Sequence, residues 1–68
     1  MKISARNVIK GRIASVKKGA TTSHVVLIAG GATVTASITN EAVAELKLKK
    51  GQQAYAVIKA SDVMIGVD

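Results

Sequence analysis

Two short segments near the ends of this chain combine residue types that can bind a small anion. Residues 4–7 read Ser-Ala-Arg-Asn, and residues 59–61 read Lys-Ala-Ser. Each segment offers a hydroxyl group, backbone N–H groups, one fixed positive charge and no bulky side chain. Backbone N–H groups in a turn can form a concave anion site, which hydroxyl groups and a cation complete. Together, the two segments predict a site for a small oxyanion.

A second candidate for anion binding is the polar stretch at residues 17–23, which reads Lys-Lys-Gly-Ala-Thr-Thr-Ser. It carries two cations, a glycine, three consecutive hydroxyl residues and backbone donors. Its ordinary interpretation is a solvent-exposed hairpin turn, because loops of this composition are common. In the functional interpretation, the anion-binding residues are Lys18, Gly19, Ala20, Thr21 and Thr22.

The sequence contains no arrangement of residues typical of a catalytic site. Histidine is the side chain type suited to acid–base chemistry near neutral pH, and His24 is the only one in the chain. No acid, nucleophile or metal partner accompanies it. We therefore interpret His24 as a surface or interface residue and expect no enzyme activity. Asp62 would repel an oxyanion, so we predict that it caps the turn around Ser61.

Length and composition predict a single small domain that depends on self-association. The chain has 68 residues, 49% of them hydrophobic, with no cysteine and no proline. A lone domain of this size buries only about 60% of the surface that its unfolded chain exposes. The lack of cysteine excludes disulfides, and the lack of a Cys/His cluster excludes a structural zinc site. Because Tyr55 is the only aromatic residue, aliphatic burial between copies is the remaining means of stabilisation.

The net charge of +6 attracts anions in general. Nucleic acid is therefore an alternative ligand, although single-strand binding usually relies on aromatic stacking, which only Tyr55 could supply here. No apolar stretch approaches 18 residues and no apolar leader precedes residue 8, so the sequence gives no sign of a membrane segment. We expect a soluble cytoplasmic protein.

Hydrophobic alternation and turn residues predict five strands and one helix. The strands are predicted at residues 8–17, 22–29, 33–38, 53–59 and 63–67. Gly11 is expected to mark a bulge or bend in the first strand, and Gly30-Gly31 a tight hairpin. Thr39, Asn40 and Glu41 predict a helix start; three lysines and Gly51 predict its end.

This order of elements is typical of the OB-fold. Three strands, a short helix and two further strands correspond to a five-stranded, partly open Greek-key barrel. We therefore predict an all-β, OB-fold-like domain over residues 1–68, with the helix between strands 3 and 4.

The sequence also resembles a known family, the molbindin (Mop) proteins, which bind molybdate and tungstate. The resemblance spans essentially the whole chain, and its specific part is the pair of terminal segments. The residues that carry it are Ser4-Ala5-Arg6-Asn7, Lys10-Gly11, Lys17-Lys18-Gly19, Val25-Val26-Leu27 and the stretch at residues 59–65.

The resemblance implies the same OB-fold and a role in cytoplasmic oxyanion storage, with bound molybdate or tungstate and no organic cofactor. It implies a homohexamer, arranged as a trimer of dimers, and a principal site that joins the terminal segments of different subunits. The implied residues are Ser4, Ala5, Arg6, Lys59, Ala60 and Ser61, and the loop at residues 18–22 is the candidate for a second site.

Two other classes of protein remain as alternatives at this stage. One is a small OB-fold nucleic-acid-binding protein, which the positive charge supports and the lack of aromatic residues opposes. The other is an interaction module that resembles the ligand-sensing part of a regulator or transporter subunit, which would need a partner chain for its DNA-binding or ATPase half.

Overall fold

The computed structural model describes residues 1–68 and shows a four-stranded antiparallel sheet with one short α-helix. The strands are β1 (Asn7–Lys18), β2 (Thr22–Ala29), β3 (Ala32–Thr39) and β4 (Gln53–Ile58). Helix α1 (Asn40–Leu46) lies between β3 and β4, and a 3-10 turn (Ala60–Asp62) follows β4. The strand order β3-β2-β1-β4 is that of a Greek key. The predicted β-rich class and the position of the helix are confirmed.

The hairpin between β2 and β3 forms at the predicted glycine pair. Gly30 and Gly31 have φ values of 57° and 78°. Positive φ at both central residues is what a type I′ turn requires, and its twist matches that of the flanking strands. The local sequence therefore determines where β2 ends and β3 begins.

Helix α1 begins as predicted but ends earlier. The Thr39 hydroxyl accepts a hydrogen bond from the N–H of Ala42 at 3.1 Å, which caps the first turn. The helix stops at Leu46, because Lys47 adopts the left-handed conformation with φ of 53°. Of the residues predicted to end the helix, Lys47 does so, whereas Gly51 does not: it lies beyond the C-cap and donates its N–H to the Ile13 carbonyl oxygen in β1. No helix in this chain is both long and apolar enough to cross a membrane.

Strand β1 pairs with both β2 and β4, and its β-bulge lies at Ala14 rather than at Gly11. The pairing of β1 with β2 shifts register between Ile13 and Ser15, which marks the bulge. Gly11 has a different role, because a Cβ atom there would overlap the Ile28 carbonyl oxygen and lie 2.8 Å from the Ala29 Cβ. The prediction that Gly11 marks the irregularity was wrong, because Gly11 pairs regularly with Ala29 and a close strand contact explains the glycine.

The buried core is small and lies beside an open apolar groove. Five hydrophobic residues are buried, namely Ile13, Val25, Leu27, Ala29 and Ala56. A groove of about 690 Å³ continues from this core along β2, β3 and β4 to the end of α1, and 14 of its 15 lining residues are hydrophobic. Tyr55, half exposed, lines it too. One face of the sheet is therefore apolar and uncovered within the single chain.

The structure does not confirm the fifth strand. Residues 63–67 follow the 3-10 turn without pairing to any strand, so the sheet stays open, with β3 and β4 at its edges. The side chains of residues 63–67 are exposed, at 91% for Met64 and 94% for Val67. The segment is apolar, as a buried strand would be, but a strand also needs a neighbouring backbone, and the chain provides none at this position.

Candidate functional site

The two terminal segments meet at one end of the sheet. Antiparallel pairing of β1 with β4 sets Asn7 opposite Ile58. The chain therefore enters β1 beside the point at which it leaves β4. The Asn7 side-chain amide donates to the Ile58 carbonyl oxygen at 3.2 Å and ties the two segments together. The 4–6 segment therefore ends, at Asn7, beside the point where the 59–61 segment begins.

Both segments present backbone donors without partners in the chain. No hydrogen bond is donated by the N–H groups of Ala5, Arg6, Ala60 and Ser61. Within the 3-10 turn, the N–H of Asp62 donates to Lys59 and that of Val63 to Ala60, so the preceding amides are the free ones. These donors lie beside two cationic side chains and two hydroxyl groups. This set can coordinate an oxyanion from several directions.

Asp62 does not have the capping role predicted for it. The 3-10 turn has no side-chain cap, and only the backbone of Asp62 is hydrogen-bonded there. The turn closes through main-chain bonds alone, so it needs no carboxylate for its shape.

Within the second candidate stretch, residues 19–21 form the loop between β1 and β2, and Asn40 at the start of α1 holds this loop in place. The backbone N–H of Asn40 donates to the Thr21 carbonyl oxygen at 3.0 Å, and its side-chain amide donates to those of Gly19 at 3.1 Å and Ala20 at 3.4 Å. The amide oxygen of Asn40 accepts from the Ser23 hydroxyl, which is fully buried. Three successive carbonyls of the loop are thus bound to one residue, while the N–H groups of Ala20 and Thr21 are unpaired.

A polar cleft of about 270 Å³ lies beside this loop. Its lining residues are Lys17, Lys18, Gly19, Thr22 and His24. Lys18, Gly19 and Thr22 were predicted for the second site, whereas Ala20 and Thr21 do not line the cleft. Lys17 belongs to the candidate stretch but was not among its predicted binding residues, and neither His24 nor the anchoring role of Asn40 was predicted. The hairpin register could have revealed the first two, because a loop that pairs Lys18 with Ser23 also sets Lys17 opposite His24.

The two candidate sites are separate on the monomer. Asn7 and Lys17 are ten positions apart on β1, which is about 33 Å of strand at about 3.3 Å per residue. No group of three His, Cys, Asp or Glu side chains that could hold a metal ion occurs. The polar groups at both sites are cations, hydroxyls and amides, which suit an anionic ligand.

Comparison with known proteins agrees with this chemistry. The family model described as the TOBE domain matches residues 3–65. Molybdenum-pterin-binding protein 3 of Clostridium pasteurianum is 52% identical over 66 residues, which cover 96% of this chain and 97% of that protein.

Two solved structures share the fold. MopII from Clostridium pasteurianum has a TM-score of 0.90 at 45% identity, over 97% of this chain and 100% of that one. The cytoplasmic molybdate-binding protein ModG, in a form with molybdate bound, has a TM-score of 0.94 at 46% identity, over 100% of this chain and 49% of that one. Sequence and fold thus agree along nearly the whole chain, which belongs to the TOBE domain family and, within it, to the molbindin (Mop) proteins.

Proposed function

We propose that this protein binds molybdate and tungstate as free oxyanions and stores them in the cytoplasm, without chemistry on the ligand. The observation that carries the proposal is the meeting of the two terminal segments at Asn7 and Ile58, with four unpaired amides beside them. The relatives support it, since ModG is described as a cytoplasmic molybdate-binding protein. The name of the Clostridium protein refers to molybdenum-pterin; the small donors here suit the inorganic anion.

At the principal site, the six residues contribute in three pairs, one member of each pair from each segment. Ser4 and Ser61 donate hydroxyl hydrogen bonds, and Ala5 and Ala60 contribute backbone N–H groups while leaving room for the anion. Arg6 and Lys59 supply the positive charge that compensates the dianion. The loop at residues 18–22 forms a second, weaker site, where Lys18 and Thr22 contact the anion from the cleft.

We further propose that the protein is a single-domain homo-oligomer, a hexamer arranged as a trimer of dimers. The uncovered apolar groove and the exposed apolar residues 63–67 support this assembly. Covering the groove with a second copy removes apolar surface from water, and each Å² so buried stabilises the assembly by about 25 cal/mol. The tail of one copy, residues 63–67, is the proposed occupant of the groove of another, since its side chains are apolar and exposed.

Residues 59–61 continue directly into this tail, so a tail seated on a neighbouring copy carries its 59–61 segment toward that copy, and the family resemblance implies that the principal site joins it to the neighbour's 4–6 segment. The principal site is then shared between subunits. A monomer would hold only the donors of its own two segments and lack those that the neighbour contributes, so its affinity for molybdate would be lower.

Selectivity among anions tests the binding function. Thermal unfolding is measured at physiological salt with equal concentrations of molybdate, tungstate, sulfate and phosphate. A ligand at a hundredfold excess over its Kd stabilises the folded state by about 2.7 kcal/mol per site. We expect a large upward shift of Tm for molybdate and tungstate only, because a cage of donors disfavours a protonated anion and fits the larger oxyanions. Equal Tm shifts for all four anions would mean that they bind a nonspecific basic surface and would contradict the proposal. Tighter, strongly salt-dependent binding of an oligonucleotide would favour the nucleic-acid alternative.

Serine substitutions test the principal site. Ser4→Ala or Ser61→Ala should weaken molybdate binding by about 1–3 kcal/mol in calorimetry, the usual effect of losing a hydrogen bond to a charged group. Ser15→Ala is the matched control, because this exposed serine makes no side-chain hydrogen bond and lies away from both segments. Unchanged affinity in the double variant Ser4→Ala/Ser61→Ala would remove these hydroxyls from the site.

Native mass spectrometry tests the assembly. We expect one closed oligomer of six chains, and Ile65→Asp should shift it to smaller species by placing a charge in the groove. Lys50→Asp, an acidic substitution in an exposed turn outside the groove, should leave the oligomer intact. A stable monomer that binds molybdate at micromolar concentration would contradict the proposed assembly.

A further inference from the structure

His24 is the one side chain in the second cleft whose charge can change near neutral pH. It lies exposed on β2, directly opposite Lys17 of β1. Partners in an antiparallel pair have their Cβ atoms about 4.5–5.5 Å apart on the same face of the sheet. An anion in the cleft therefore meets two lysines and one imidazole.

The groups around His24 leave its charge free to act on a ligand. From β1 it faces Lys17, with Lys18 at the rim of the cleft, and from β3 it faces the uncharged Ser37. The carboxylates of the neighbouring helix, on Glu41 and Glu45, do not line the cleft. Protonation of the imidazole would thus raise the positive charge of the cleft from two to three, with no acid in the lining to neutralise it.

We propose that His24 makes oxyanion binding in this cleft depend on pH, with tighter binding when the imidazole is protonated. The inference rests on the proposed function, since it names the regulation of the second site. Histidine is the side chain type whose change of charge ordinarily falls within the physiological pH range. The imidazolium adds a charge and an N–H donor toward the anion, whereas the neutral ring adds neither charge nor a second donor.

The sign follows from linkage. If the protonated form binds molybdate more tightly, bound molybdate must stabilise the protonated form by the same factor. Lowering the pH therefore strengthens binding at the cleft, and adding molybdate moves the titration midpoint of the imidazole to higher pH. A midpoint shift of about one pH unit corresponds to an affinity difference of about tenfold between the two protonation states.

The single histidine makes this measurable at one atom. Proton NMR of the imidazole is followed across pH on the full-length protein, with saturating sodium molybdate and with sodium chloride at equal ionic strength. We expect the midpoint to rise by about one pH unit with molybdate. At a molybdate concentration that only partly fills the wild-type cleft, Lys17→Gln should reduce this shift, because less of the variant then carries the anion. Lys10→Gln removes the same charge elsewhere on β1, where the neighbour is Tyr55 of β4, and should leave the shift intact.

Calorimetry at about pH 6 and about pH 8 gives the second readout. The wild type should lose affinity at its weaker class of sites as pH rises, and His24→Gln should make that class independent of pH while the principal class remains. An unmoved imidazole midpoint under saturating molybdate would overturn the inference and leave the proposed function standing. Absence of molybdate binding at either pH would overturn both.

Discussion

Replacing Asn40 with alanine tests whether one side chain at the start of α1 holds the β1–β2 loop. The Asn40 amide oxygen is the partner of the Ser23 hydroxyl, and Ser23 is 0% exposed. In Asn40→Ala this hydroxyl stays buried without a partner, which costs about 1–3 kcal/mol. The bonds to the carbonyls of Gly19 and Ala20 are exposed, so their loss adds about 0.5 kcal/mol each.

One effect opposes this loss. Alanine favours the helix over asparagine by up to about 0.7 kcal/mol. The net expectation is that Asn40→Ala lowers the free energy of unfolding by about 2 kcal/mol, because an unsatisfied buried hydroxyl outweighs a helix-propensity gain. Urea denaturation measures the difference, at a fixed protomer concentration because assembly contributes to apparent stability.

A double-mutant cycle isolates the pair. Ser23→Ala leaves the Asn40 oxygen without its donor, so each single substitution breaks the same hydrogen bond. The double variant should therefore cost less than the two singles together, by at least about 0.5 kcal/mol. Ser37→Ala, at an exposed serine without a side-chain hydrogen bond, is the matched control and should change stability by less than about 0.5 kcal/mol. A change below 0.5 kcal/mol in Asn40→Ala, or strict additivity, would refute the anchoring role.

Three further substitutions test the local structure by the same urea denaturation. Gly11→Ala should destabilise by more than about 3 kcal/mol, because the new Cβ overlaps the backbone of β2; a mild effect would show that the strands can separate at this point. Thr39→Ala should cost about 1 kcal/mol through loss of the helix cap, and a neutral result would contradict the hydrogen bond to Ala42. Lys47→Gly should stabilise by about 0.5–1 kcal/mol, because glycine adopts the left-handed conformation without strain; destabilisation would mean that the lysine side chain makes a contact that outweighs its backbone strain.

The sequence by itself determined the elements whose causes are local. Alternation of apolar and polar residues located β1 to β4 to within a residue at each end. Gly30 and Gly31 predicted the hairpin because positive φ at two successive residues is a property of those residues alone. Thr39 predicted the helix start because its hydroxyl reaches an N–H only three positions away. The terminal segments carried the family resemblance for the same reason, since it depends on residue types in order.

Only the tertiary structure decided what depends on distant parts of the chain. Gly11 signalled an irregularity in β1, but its cause is contact with Ala29, and the bulge itself falls at Ala14 where pairing with β2 shifts. Asn40 looked like a candidate helix cap, whereas its hydrogen bonds reach back about 20 positions to the loop at residues 19–21.

The two ends of the chain illustrate the same division between local and distant causes. The sequence makes residues 63–67 apolar, which is compatible with a strand. Strand formation also requires hydrogen bonds to a neighbouring backbone, which this single chain does not place there. Similarly, the residue types of the 4–6 and 59–61 segments indicated anion binding, but only the antiparallel register of β1 and β4, which sets Asn7 against Ile58, brought segments more than 50 positions apart to one place.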